Sequence, residues 1–263
     1  MSQDKFTDFV MLVKRLRKEC PWDREQTNDS IKAATIEEAY EVVEAIDHKN
    51  FEELKKELGD LLLHIVFHTV MAEENGHFNI DEVIQCISEK LIRRHPHVFG
   101  ETSVNGSEEV KKNWERIKLS EGRNSILDGV PNSLPALQKA HRLQEKAAKV
   151  GFDWEKKEDV WKKVIEEINE MHEIEEQKKI SYDESLQIKL ENEIGDVFFA
   201  LVNYARFLNI NPENALRKTN EKFLRRFNYI EEKLKEDGKS IENSNLEEMD
   251  KFWNESKKII KDN

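Results

Sequence analysis

A chain of 263 residues can bury a sizeable core, as one large domain or two smaller ones. Charged residues make up 37% of it and hydrophobic ones 38%, with 9 Gly and 5 Pro, a composition that predicts a water-soluble, all-α protein and leaves little room for strands. Its net charge of −12 argues against a general nucleic-acid binder and against a membrane-surface protein, since each needs a cationic face.

The first predicted helix spans Asp4 to Glu19, with Phe6, Phe9, Val13 and Leu16 on one face, and Cys20-Pro21-Trp22-Asp23 ends it. Met1 to Asp8 is too polar for a secretion signal, and the longest apolar run, Leu61 to Val70, is broken by His64 and His68, so neither a signal nor a membrane span is expected. Cys20 and Cys86 form neither a disulfide framework nor a zinc pair, which suits a reducing, cytoplasmic setting.

The next helix carries Glu37, Glu38 and Glu41. Thr35-x-x-Glu38 matches a capping box, so Glu38 has two readings: a partner of the cap, or a member of an acid cluster. Asn50 is placed to cap a following helix that runs through Leu54, Leu58, Leu61, Leu62, Ile65 and Phe67 to Asn75-Gly76, and this helix carries Glu57 and Asp60. Gly59 between those acids costs a helix about 1 kcal/mol relative to Ala. The same Gly recurs at 195, which predicts a shared reason such as close approach of a neighbouring helix or ligand. A helix over Asp81 to Arg94 ends in Lys90-x-x-Arg93-Arg94 and is stopped by His95-Pro96. A loop from Phe99 to Ser107 leads to a charged helix, Glu108 to Ser120, that holds Trp114. Gly122, Gly129, Pro131 and Pro135 mark 121–135 as a linker between an N-terminal domain, 1–120, and a C-terminal one, 136–263.

The second half repeats the first. Ser133 is a candidate cap for a helix ending at Val150, and Gly151-Phe152-Asp153-Trp154 echoes the Cys20 to Asp23 turn. A long helix then carries Glu166, Glu167 and Glu170, and a polar turn is expected around Lys178, Lys179 and Ser181. The next helix holds Glu193 and Asp196, Pro212 opens another with Lys222-x-x-Arg225-Arg226, and the last contains Trp253. A Trp, Glu-Glu-x-x-Glu, Glu-x-Gly-Asp, Lys-x-x-Arg-Arg and a second Trp therefore occur in the same order in both halves, as a tandem duplication of one helical unit would give.

Spacing gives the acids their chemistry. Glu38 with Glu41, and Glu57 with Asp60, each share a helix face, and both pairs lie beside apolar residues. Two such helices packed antiparallel bring four carboxylates together, and their repulsion calls for protons, Lys or Arg partners, or a hard divalent cation with oxygen ligands. Mg²⁺ fits best, because it takes carboxylate and water oxygens and completes its shell with substrate phosphates, and the Lys-x-x-Arg-Arg run then supplies cations for the remaining phosphate oxygens. A solvated acidic surface is the plain alternative for one such run; the duplication of the whole set argues against it. His64 and His68, spaced i, i+4 on an apolar helix, read as core or interface histidines.

These two sets, with Arg93-Arg94-His95-Pro96-His97-Val98-Phe99 and Val150-Gly151-Phe152-Asp153-Trp154, resemble the two-copy form of the MazG nucleoside triphosphate pyrophosphohydrolases over essentially the whole chain. The resemblance implies an all-α NTP pyrophosphatase fold that forms a homodimer and turns NTPs and dNTPs, with loose base preference, into NMP and pyrophosphate. It implies Mg²⁺, with Mn²⁺ as an alternative ion, held by Glu167, Glu170, Glu193 and Asp196. Glu166 would orient the attacking water, Lys163, Lys189, Lys222, Arg225 and Arg226 would grip the phosphates, and Trp253 would lie near the nucleotide. The C-terminal copy is the expected active one. Glu38, Glu41, Glu57 and Asp60 form a second candidate metal site, in a copy that has Ala34 or Thr35 where the other has Lys163; that copy is expected to bind metal yet hold triphosphate less well. Rival readings are a pyrophosphohydrolase restricted to dUTP, phosphoribosyl-ATP or an alarmone, and a non-catalytic helical interaction protein.

Overall fold

The computed structural model describes residues 4–121, 125–180 and 183–260. The described residues contain helices and no strand, and the chain divides into two compact units, 1–121 and 122–263.

In the first unit, α1 (Lys5–Glu19) starts at the Asp4 cap, whose side chain accepts from the Phe6 N–H. A short α2 (Pro21–Glu25) follows, then α3 (Lys32–Asp47) and α4 (Phe51–Glu74), joined so briefly that they form an antiparallel hairpin. Asn50 caps α4 by accepting from Glu53 N–H. Its apolar side meets α1: Val10, Val13, Ile31, Val66, Phe67, Val70 and Met71 make one buried cluster. Then come α5 (Ile80–Arg94), α6 (Pro96–Phe99) and α7 (Ser107–Ser120). Asn79 and Glu82 close a reciprocal capping box on α5, which the sequence reading passed over.

The second unit opens with turns and then α8 (Ala136–Ala148), the counterpart of α1. The hairpin here is α9 (Lys157–Ile180) with α10 (Glu184–Phe207), the latter capped by Asp183. Asn211 and Pro212 start α11 (Pro212–Glu236), and α12 (Leu246–Ile259) folds back on it over Ile230, Leu234 and Phe252.

Four local expectations are corrected. Helix α3 begins at Lys32, so Thr35 caps nothing; its hydroxyl donates to the Ile31 carbonyl, and Glu38 is released from the capping-box reading. The start is fixed upstream, where Thr27 and Ser30 bond reciprocally, Thr27 N–H to Ser30 Oγ at 2.9 Å and Ser30 N–H to Thr27 Oγ1 at 3.1 Å. Pro135, not Ser133, stands before α8. Lys178 and Lys179 belong to the last turn of α9, where cations favour the helix C-terminus, while Ser181 lies outside the described residues, as does Gly122 of the linker. Finally, a Cβ added at Gly59 or Gly195 would meet nothing within 4 Å, so close approach of a helix within the unit is not the reason for either glycine.

Candidate active site

The α9–α10 hairpin gathers the C-terminal acids. Glu167 on α9 is buried, Glu170 one turn on is exposed and Glu193 on α10 is half-buried; one carboxylate oxygen from each lies within 4.8 Å of the others. Asp196, one turn after Glu193, is outside that trio and lines the adjoining cleft beside Glu167. Lys163 sits one turn before the acids, and its ammonium lies 2.6 Å from Glu166 and 2.8 Å from Glu167. Those two bonds raise the Lys163 pKa, so it is held as a fixed cation at the edge of the cluster. Glu170 is pushed up from its ordinary value, first by burial and then by Glu167, with Lys163 pulling the other way.

The N-terminal hairpin repeats the trio without the lysine. Glu38, Glu41 and Glu57 converge within 4.8 Å, and Asp60 again stays outside the group. Glu38 is pushed up by burial and then by Glu41 and Asp60. Burial, with hydrogen bonds to Glu41 and Glu53, raises Glu57 to about 7, so a proton relieves the repulsion that Lys163 partly relieves in the other copy. His64 and His68 stand behind this site as a polar network: Thr35 Oγ1 is 2.9 Å from His64 Nδ1 and 2.8 Å from His68 Nε2, and His64 Nε2 is 3.8 Å from Glu38.

Each trio offers only carboxylate oxygens, close enough to share one ion and held in a setting that penalises their charge. Such a donor set fits a hard divalent cation. It does not fit zinc as a structural ion, which prefers nitrogen and sulfur ligands.

The cationic runs differ more than the acids do. In the first copy Arg93 and Arg94 both turn to Glu121, a residue no motif points to: Arg93 Nε donates to Glu121 Oε1 at 2.9 Å, and Arg94 adds a charge-assisted pair. These hydrogen bonds, Arg94 first, drop the Glu121 pKa to about 2. A carboxylate thus engages both guanidiniums in charge-assisted hydrogen bonds. In the second copy Arg225 lies 3.7 Å from Glu221, and Arg226 lies over the Trp253 ring at 5.8 Å. Trp253 also packs on Phe223 at 5.4 Å between centroids. Lys222 is half-buried and Lys189 exposed on α10.

Beside the C-terminal trio opens a cleft of about 720 Å³. Its walls come from α8, α10 and the Gly151 to Trp154 turn, and Lys163, Glu167 and Asp196 line it too. Gly151 has φ +87°, and the Phe152 N–H returns to the Ala147 carbonyl at 3.1 Å, so α8 ends in a left-handed cap that throws Phe152 and Trp154 toward the opening.

Comparison with known proteins decides the family. The model of the MazG nucleotide pyrophosphohydrolase domain matches this chain twice, at residues 26–99 and 155–230. The chain belongs to the MazG family. Both matches contain one acid trio, and the all-α fold is a tandem duplication of the MazG unit. A nucleoside triphosphate pyrophosphohydrolase/pyrophosphatase MazG from Thermotoga maritima is 43% identical over 257 residues, 96% of this chain and 95% of that protein. A nucleoside triphosphate pyrophosphohydrolase from Escherichia coli is 44% identical over 256 residues, 95% of each. An uncharacterized protein, YabN, of Bacillus subtilis is 48% identical across 96% of this chain and 52% of its own length.

Proposed function

We propose that this MazG protein hydrolyses nucleoside and deoxynucleoside triphosphates to the monophosphate and pyrophosphate, that the C-terminal copy does the work, and that Mg²⁺ or Mn²⁺ is its metal. The reaction is supported by the family and by relatives of that name along nearly the whole chain. The observation that carries the choice of copy is Lys163, a fixed cation beside the trio of Glu167, Glu170 and Glu193, where the first copy has Ala34.

Glu167, Glu170 and Glu193 would hold the ion, and Asp196 would complete the set. When bound, Mg²⁺ supplies positive charge to the triphosphate oxygens and lowers the pKa of an attacking water. The protein groups do the rest. Lys163, Lys189, Lys222, Arg225 and Arg226 draw the phosphates in and balance charge that builds up as the α–β anhydride opens. Trp253 gives Arg226 a cation–π contact, its guanidinium lying 5.8 Å from the ring centroid. Glu166, exposed and hydrogen-bonded by Lys163, would orient the water and take its proton. The first copy keeps a trio of acids that could hold a metal, while Arg93 and Arg94 pair with Glu121.

A homodimer accounts for the apolar surface around the acids. Ile36, Leu58, Leu62, Ile65, Ile194 and Phe198 are all exposed, and Gly59 and Gly195 lie among them with open space above. Among the described residues no helix is long and apolar enough to cross a membrane. The physiological reading is cytoplasmic nucleotide-pool housecleaning or control of nucleotide levels under stress.

Product analysis tests the reading. The protein, Mg²⁺ and a panel of NTPs, dNTPs and guanosine tetraphosphate should give monophosphate and pyrophosphate from most triphosphates, and nothing when Mg²⁺ is chelated. Turnover of a single member of the panel would replace it with a narrow-specificity enzyme, and no turnover by folded protein would replace it with a binding module.

A further inference from the structure

Part of the stretch that the sequence marks as a linker, 125–128, is built into the second unit as a closed turn. Ser125 N–H donates to Asp128 Oδ2 at 2.8 Å, Leu127 N–H to Ser125 Oγ at 3.2 Å, and Asp128 N–H to the Ser125 carbonyl at 3.1 Å. Gly129, with φ +79°, then carries the chain away in left-handed backbone. A turn this short has no core of its own, and fixing it in one place costs conformational entropy that an outside contact must offset.

Lys146 makes that contact. It lies near the end of α8, is only 6% exposed, and donates from its ammonium to the Ile126 carbonyl at 3.1 Å and the Asp128 carbonyl at 2.9 Å. A buried ammonium is costly unless acceptors meet its donors, so a lysine at this depth is tied to the carbonyls it reaches. An apolar side chain would pack α8 without that cost, yet it could not grip a turn by its backbone.

The place so held adjoins the proposed site. Leu127, between the two gripped residues, lines the cleft beside the C-terminal trio, whereas Lys146 does not line it. The Gly151 to Trp154 turn lines the same cleft and is fastened in the same manner, since Arg206 on α10 bonds Asp153 at 3.0 Å and Asn203 at 3.1 Å. The acids themselves stand on the α9–α10 hairpin and need neither turn to keep their places.

Resting on the proposed activity, we infer that Lys146 is a positioning residue of the C-terminal copy: it clasps the 125–128 turn so that Leu127 forms a fixed wall of the cleft that serves Glu167, Glu170 and Glu193. The segment between the two copies is thereby a working part of the second one and more than a tether. Because the clasp shapes the approach to the acids and leaves the acids alone, its loss acts on substrate binding and spares the chemical step.

Steady-state kinetics and amide hydrogen exchange on the full chain test this, with Lys146→Met, which keeps the stem and loses the donors, and Lys146→Arg, which can still donate. Lys146→Met is expected to raise KM for ATP and dTTP about 10-fold and to leave kcat within about twofold. Its 125–129 amides should exchange at least ~10-fold faster while α9 and α10 keep their protection. Lys146→Arg should bring KM back to within about threefold of the parent. A merely structural lysine would lower the folded fraction, and so the apparent kcat, with KM unmoved. That pattern overturns the role, as does unchanged exchange in the turn or an unchanged KM beside faster exchange. If Lys146→Met does not fold, Leu127→Ser decides, because it removes the wall from an exposed turn and leaves the clasp: KM should rise alone, and an unchanged KM overturns the role. Failure of the underlying activity would look different, since the parent itself would turn over no triphosphate, and the role would fall with it.

Discussion

Lys163 and Ala34 hold equivalent places in the two copies, and that one difference changes what the acids beside them can do. With Lys163 present, a cation is fixed at the edge of the trio, where the proposed reaction brings the triphosphate. Lys163→Met should lower kcat/KM by about 10–100-fold, read from initial rates, because a charge-assisted contact is lost at a site that still binds metal. Glu121 is the opposite device. Its pKa falls to about 2 in the fold against 4.5 in the unfolded chain, so the stability it adds is present above about 4.5 and lost as pH falls toward 2. Glu121→Gln should therefore unfold at lower urea than the parent at pH 7, and the gap between the two midpoints should narrow through that acid window. A gap that stayed constant with pH would mean the Arg93 and Arg94 pairing contributes nothing. The acids were legible in the sequence because helical spacing writes each pair locally. Glu121 was not, because its partners lie 27 and 28 positions away and no periodicity links them.

At the level of elements, most helices could be read from caps and breakers, and the misses have identifiable causes. Asp4, Asn50 and Asn211 act as the caps their residue types favour. Thr35 failed as a cap because the helix start is set by the Thr27 to Ser30 turn and by burial of Ile31 in the α1–α4 core. The expected turn at Lys178 failed because both lysines favour helix and suit a C-terminus. Gly151 shows how an element end shapes the cleft: with φ +87° it ends α8, and the aromatic turn that follows lines the opening. Gly151→Ala should cost about 1 kcal/mol in stability and raise KM for every nucleotide, as thermal melts and initial rates would show. A loss of stability with unchanged KM would separate the turn from substrate binding.

For the whole molecule, the apolar stripes on α3, α4 and α10 were visible in the sequence as core, yet much of them is exposed in the single chain. Phe198, two residues after Asp196 on α10, is 56% exposed. This is surface that a second copy of the chain would cover, and light scattering after size exclusion should give twice the chain mass at micromolar concentration. Phe198→Glu should move that equilibrium toward the monomer. A monomeric parent under the same conditions would leave the stripe unexplained.

The duplication itself carries the central claim: two copies of one metal-binding hairpin, of which only the second can grip and process a triphosphate. Glu41→Gln and Glu170→Gln make the same chemical change at matched places, one in each copy. Steady-state hydrolysis of ATP and dTTP with Mg²⁺, compared between these two variants, tests the claim most directly. Glu170→Gln is expected to lower kcat by about 10² or more, and Glu41→Gln to leave it within a few-fold. A greater loss from Glu41→Gln would place the working site in the first copy and contradict the account.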